Sequence, residues 1–151
     1  MRRTIRHTRN DGRDDWLRLI DDAAELGTQM IQFIGGEPTL HPALPELMDH
    51  ALDSGLEVEV FTNLVRVTPR MWETFSRPRV RLATSFYADG VDQHEVITGR
   101  QGSYARTKAN IAETVGQQWG GMAVRIRPVD AHGVIRIHGV ILPKVIVIRT
   151  A

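Results

Sequence analysis

The sequence predicts an α/β fold with parallel strands, and three observations predict it. Short apolar or β-branched runs at 30–34, 58–62 and 80–87 alternate with segments of helical period. Each intervening segment is long enough for one helical crossover, the connection that parallel strands require. Glycine or proline closes the runs and helices in turn, at Gly27, Gly35-Gly36, Gly55 and Pro78. Periodicity alone leaves open whether the sheet stays flat or curls into part of a barrel.

The elements follow in order. Residues 1–13 are polar and basic and read as a lead-in without a strand. Asp14 or Asp15 can cap a first helix, with Trp16, Leu19, Ile20, Ala23 and Leu26 on its apolar stripe and Gly27 at its end. Met30–Ile34 is a buried strand running into Gly35-Gly36. Pro42 opens a helix carrying Leu44, Leu47, Met48, Ala51 and Leu52. The strand at 58–62 leads to Asn63, and Thr68-Pro69 starts a short helix with Met71, Trp72 and Phe75. After the strand at 80–87 comes a polar loop. Ser103 then caps a helix with Tyr104, Ile111, Ala112, Val115 and Trp119.

This pattern spans 14–120 and stops there. In the tail, 121–151, residues 134–138 and 145–148 are β-prone with no helical pattern between them. They predict a loose hairpin or an irregular segment.

Composition sets bounds on function. A chain of 151 residues with 42% apolar and 25% charged residues suits one ordinary globular domain. A formal net charge of +1 gives no general attraction to nucleic acid or an anionic membrane. No apolar run approaches the roughly 20 residues of a membrane span. No apolar stretch follows Met1-Arg2-Arg3, so a secretory signal is not expected and a cytoplasmic protein is. The chain has no cysteine, which excludes disulfides, thiolate nucleophiles and thiolate-held metal within it. Its six histidines lack metal-ligand spacing and read as surface or supporting residues.

The sharpest motif is Gly35-Gly36-Glu37-Pro38-Thr39-Leu40-His41-Pro42, between a strand and a helix. Paired glycines allow close backbone approach to a ligand, and Glu37 offers a carboxylate to a cation. Such a loop lies at the C-terminal end of a parallel strand, where α/β proteins bind ligands. The same residues also read as a glycine turn followed by a helix-capping acid. Pleat parity places Glu59, Phe61 and Asn63 on one face with Arg81, Ala83, Ser85 and Tyr87. That mixed polar face suits a barrel interior, or solvent beside an edge strand. Val58, Val60, Val80 and Leu82 take the opposite face and suit packing under helices.

In order along the chain, Gly35-Gly36-Glu37-Pro38, the strand end Thr62-Asn63, 82–87 with Ser85, and the 92–111 tract resemble the radical S-adenosylmethionine (SAM) superfamily. The likeness is to its peptide- or small-molecule-modifying, SPASM-like branch. The resemblance implies a partial parallel (β/α) barrel, incomplete at both ends. It implies that Gly35, Gly36 and Glu37, within the motif closed by Pro38, hold the methionyl amine of SAM. Asn63 and Ser85 are then expected at the ribose or carboxylate, and Arg100 as a further carboxylate partner. The family's cofactors are SAM and a [4Fe–4S] cluster. Its reaction is reductive SAM cleavage to a 5′-deoxyadenosyl radical that abstracts hydrogen from a small-molecule or peptide substrate, supplied with electrons by a reductant.

The chain departs from the family pattern where three cluster-binding cysteines belong, just before residue 14. Nothing in 2–13 replaces those thiolates. An internal piece of a radical SAM core is therefore expected, from a truncated gene, a misplaced start or a frameshifted end. The alternative is a cluster-less SAM- or peptide-binding module without catalysis.

Overall fold

The computed structural model describes residues 3–5, 12–86, 90–116, 124–128 and 145–149, with side chains over 12–84 and 90–114. Its strands are β1 (Arg3–Ile5), β2 (Met30–Ile34), β3 (Glu57–Phe61), β4 (Val80–Phe86), β5 (Val124–Pro128) and β6 (Val145–Arg149). They form one sheet in the order β1-β6-β2-β3-β4-β5, and every neighbouring pair is parallel. The helices are α1 (Arg13–Glu25), α2 (Leu44–Asp53), α3 (Pro69–Phe75), α4 (Val91–Thr98) and α5 (Ser103–Gly116). The expected α/β architecture with β2, β3 and β4 adjacent and parallel is present.

The two faces of these three strands differ as the pleat requires. Ile31, Phe33, Val58, Val60, Val80 and Leu82 are buried beneath Trp16 and Ile20 of α1, Leu47 and Met48 of α2, and Met71 and Phe75 of α3. Burying each such side chain contributes roughly 1.5–3 kcal/mol, so this layer is a main source of stability for β2, β3 and β4. On the other face Gln32, Glu59 and Arg81 lie side by side in register. Glu59 is only 3% exposed and accepts a hydrogen bond from Gln32 Nε2. The solvent-facing alternative for Glu59 is thereby excluded, since β3 lies between β2 and β4.

Several expectations need correction. Gly12, not Asp14 or Asp15, occupies the α1 N-cap, and Asp15 Oδ2 instead accepts the Gly12 N–H at 3.2 Å. Leu26 is 64% exposed because it follows the last helical turn, where Gly27 takes φ 69°. The polar loop after β4 contains helix α4. Its pattern is inverted, with Val91, Val96 and Ile97 exposed and His94 buried, so apolar periodicity could not reveal it. Ser103 is the first residue of α5 rather than its cap, and Ala112 is exposed.

The ends also differ from expectation. Arg3–Ile5 is a strand, so the lead-in does contain one. Of the β-prone runs of the tail, Val145–Arg149 lies between β1 and β2, parallel to both, and Val124–Pro128 extends the sheet beside β4. An unbroken apolar run such as Val145-Ile146-Val147-Ile148 suits a strand flanked on both sides in a parallel sheet. Residues 134–138, and the burial of Val124, Ile126, Ile135 and Ile137, lie outside what is described. Among the described residues no helix is long and apolar enough to cross a membrane.

Candidate functional site at the C-terminal ends of the strands

The loop after β2 turns sharply because Gly35 and Gly36 adopt φ 101° and 50°, a left-handed backbone open to glycine at little cost. Glu37 then caps a single 3-10 turn, Pro38–Leu40, whose first position suits Pro38. Its carboxylate does more than cap. Oε1 accepts the Thr39 N–H at 3.1 Å, the Thr39 hydroxyl at 2.8 Å and the Thr62 hydroxyl at 2.6 Å. Oε2 accepts the Asn63 N–H at 2.8 Å. One carboxylate thus ties the loop after β2 to the end of β3. Two carboxylate oxygens offer about four acceptor directions, and the more lightly used Oε2 can still accept from a ligand.

The segment after β3 is held as firmly. The Leu64 N–H donates to Thr62 Oγ1 at 3.1 Å, and the Val65 N–H to Asn63 Oδ1 at 2.8 Å. From α5, the Thr107 hydroxyl donates to the Asn63 carbonyl at 2.8 Å and Asn110 Nδ2 to the Leu64 carbonyl at 2.6 Å. Leu64 is fully buried at φ 54°, an uncommon conformation for a branched apolar residue. Because Asn63 Oδ1 serves the Val65 N–H, Asn63 Nδ2 is left as a donor for an outside acceptor.

Two cavities meet at Asn63. One of about 300 Å³ is lined by Ile34, Gly35, Gly36, Glu37, Phe61, Thr62, Asn63 and Ala83. The other, about 110 Å³, is lined by Asn63, Val65, His94, Thr98, Arg100, Ser103 and Thr107. Within this lining the Ser103 hydroxyl contacts Thr98 Oγ1 at 2.7 Å and His94 Nδ1 at 3.3 Å. Glu95 Oε1 accepts the Gly102 N–H at 2.7 Å, fastening the loop that carries Arg100. Burial pushes the His94 imidazole below its ordinary pKa, against a smaller raising effect of Glu95.

The structure therefore gathers Gly35, Gly36, Glu37 and Asn63 around one cavity, and Asn63 with Arg100 around the next. Pro38 is buried at the start of the 3-10 turn. Ser85 lies on β4 in register with Arg127, and its side chain is outside what is described. Sequence reading gave no site role to Thr39 and Thr62, which hold the Glu37 carboxylate, or to Thr107 and Asn110, which hold the backbone carbonyls of Asn63 and Leu64. A hydroxyl or amide residue next to a strand end or on a helix carries no signal of its own until the partner loop is placed. The reading of Glu37 as a capping acid holds: it caps the turn through Oε1, while Oε2 accepts the Asn63 N–H.

This arrangement offers an acceptor pole at Glu37 and a donor pole at Asn63 and Arg100, which suits an α-amino acid head. It does not suit an iron–sulfur cluster. The chain has no cysteine, and among the described residues no three His, Asp or Glu side chains group as metal ligands.

The sequence model of the Radical SAM superfamily matches residues 2–117. A PqqA peptide cyclase of Granulibacter bethesdensis is 32% identical over 94 residues, which is 62% of this chain and 25% of that protein. An AdoMet-dependent heme synthase of Methanosarcina barkeri is 31% identical over 99 residues, 65% of this chain and 28% of that one. Among solved structures, Streptococcus suis SuiB superposes with a TM-score of 0.68 at 18% identity, over 78% of this chain and 26% of SuiB, a likeness of fold. The chain thus spans about a quarter of the length of these relatives. A family that uses SAM and a [4Fe–4S] cluster here meets a chain without a cysteine to ligate one. With the family sequence matched over most of the chain and its fold shared with SuiB, this chain belongs to the radical SAM superfamily.

Proposed function

We propose that this chain binds the methionyl head of SAM at the C-terminal ends of β2 and β3. The ammonium lies against Glu37 Oε2 and the Gly35-Gly36 backbone. The carboxylate lies toward Asn63 Nδ2 and Arg100, with Ser85 serving the carboxylate or ribose. The observation that carries this reading is the pair of cavities sharing Asn63, one lined by the Glu37 carboxylate and the other by the Arg100 guanidinium. A zwitterionic head fits such a divided site better than a simple anion or cation, since each pole meets its complement.

The PqqA peptide cyclases among the relatives support a peptide as the substrate of the wider protein type, and the family chemistry requires a reductant. The family cluster supplies reductive cleavage of SAM when bound. This chain provides none of its thiolates, so by itself it binds SAM without cleaving it.

Isothermal titration of the 151-residue chain with SAM tests the binding. Saturable one-to-one binding that is lost in Glu37→Ala is expected, and absence of saturable heat in the folded wild-type chain overturns it. After treatment with iron, sulfide and dithionite, no 5′-deoxyadenosine above background is expected. Its formation would overturn the non-catalytic reading.

A further inference from the structure

We infer that Thr62 is the positioning residue of this site, the side chain through which the Asn63–Leu64 turn aligns the Glu37 carboxylate and the Asn63 amide toward one ligand. Thr62 is 4% exposed and its hydroxyl works in two directions. It donates to Glu37 Oε1 at 2.6 Å and accepts the Leu64 N–H at 3.1 Å. The first bond reaches across to the loop after β2. The second closes the turn in which Leu64 takes φ 54°.

Other supports of the turn do not duplicate this role. Thr107 and Asn110 hold its two carbonyls from α5, and so fix its position without touching Glu37. Thr39 holds Glu37 from within the same loop and does not reach β3. The backbone bond from Asn63 N–H to Glu37 Oε2 depends on the turn keeping its shape. Removing the Thr62 hydroxyl therefore releases the Leu64 N–H and one Glu37 bond together. Backbone strain held at a ligand site persists only where surrounding bonds over-determine it, and Thr62 supplies the bond that closes it here. Serine keeps the hydroxyl, whereas valine keeps the shape alone.

The test reads amide hydrogen exchange by NMR on the full chain, with SAM titration as a second arm that rests on the ligand reading above. In Thr62→Val, exchange at Leu64 and Asn63 is expected to rise at least tenfold while core amides of β3 and β4 stay within threefold. Thr62→Ser is expected to restore both amides to within threefold of wild type. In the SAM arm, Thr62→Val weakens binding at least tenfold and Thr62→Ser by less than threefold. Wild-type exchange at Leu64 and Asn63 in Thr62→Val overturns the inference, as does a serine variant no better than valine.

Should Thr62→Val fail to fold, Thr62→Ala decides by the same readout, since it also lacks the hydroxyl that serves Glu37 Oε1 and the Leu64 N–H. Exchange at Leu64 and Asn63 at least tenfold above wild type supports the inference, and wild-type exchange there overturns it. If wild type fails to bind SAM, the ligand reading falls, while the exchange arm still judges Thr62.

Discussion

The two ends of β2, β3 and β4 handle their polar groups in opposite ways. At the N-terminal ends, Thr28, Gln29, Met30, Gly55, Glu57, Arg79 and Arg81 line a cavity of about 510 Å³, larger than the 300 Å³ cavity at the other end. Its charged groups pair locally: Arg81 meets Glu57 at 2.8 Å, and Arg79 Nη2 donates to the Leu52 carbonyl at 2.7 Å. At the C-terminal ends, donors from two loops converge on one carboxylate, with α5 bracing the second loop. The contrast teaches that size does not mark the site. What marks it is convergence of fixed donors and acceptors from segments distant in sequence.

The sharpest test of this contrast replaces one acid at each end. Glu37→Ala leaves the Thr39 and Asn63 N–H groups and the Thr62 hydroxyl without their acceptor. It is expected to cost about 2–4 kcal/mol in urea unfolding, since several part-buried donors lose a charged partner. Glu57→Ala removes only the partner of Arg81, and both side chains are more than a third exposed. That variant is expected to cost less than about 1 kcal/mol. Equal losses at the two ends would break the comparison.

Each end also has a non-glycine residue with left-handed backbone, Leu64 at φ 54° and Arg79 at φ 68°. Glycine relieves roughly 1 kcal/mol of strain at either. Leu64 is fully buried, so Leu64→Gly is still expected to lose about 2–3 kcal/mol through the cavity it leaves. Arg79 is exposed, so Arg79→Gly is expected to fall within about 1 kcal/mol of wild type, relief offsetting one lost hydrogen bond. Urea midpoints of both variants check the order, and a larger loss at Arg79 would reverse it.

The smallest expected effect is pH dependence. Burial lowers the pKa of both His41 and His94 from the ordinary 6.5. Below pH 6.5 the unfolded chain takes up protons that the folded chain refuses, so stability holds above that pH and declines as pH falls toward the folded values. Each histidine contributes at most one proton to that slope. His94→Gln is expected to shallow the decline between pH 6.5 and 5. An unchanged slope would remove His94 as a source.

Much of this was legible in the chain. Leu44, Leu47, Met48, Ala51 and Leu52 are all buried, as their spacing predicts, and Thr68 caps its helix through the Met71 N–H at 3.2 Å. The opposed faces of Val58 and Glu59 followed from pleat parity alone. Helix α4 was not legible, because its exposed valines and buried His94 invert the usual pattern. Nor was the place of Val145–Arg149 between β1 and β2, since a β-prone run does not encode which strand it joins.

The sequence by itself determined the alternation of β2, β3 and β4 with helices, the glycine turn before Glu37, and the absence of thiolate ligands. These are local properties: periodicity, backbone freedom and composition act within a few residues. Tertiary structure alone decided that Glu37 Oε1 meets the Thr62 hydroxyl and that Glu37 Oε2 meets the Asn63 N–H. Those bonds join residues about 25 positions apart or depend on a turn braced by α5. Only the packed sheet brings the strand ends close enough for hydrogen bonds, whose reach is about 3 Å.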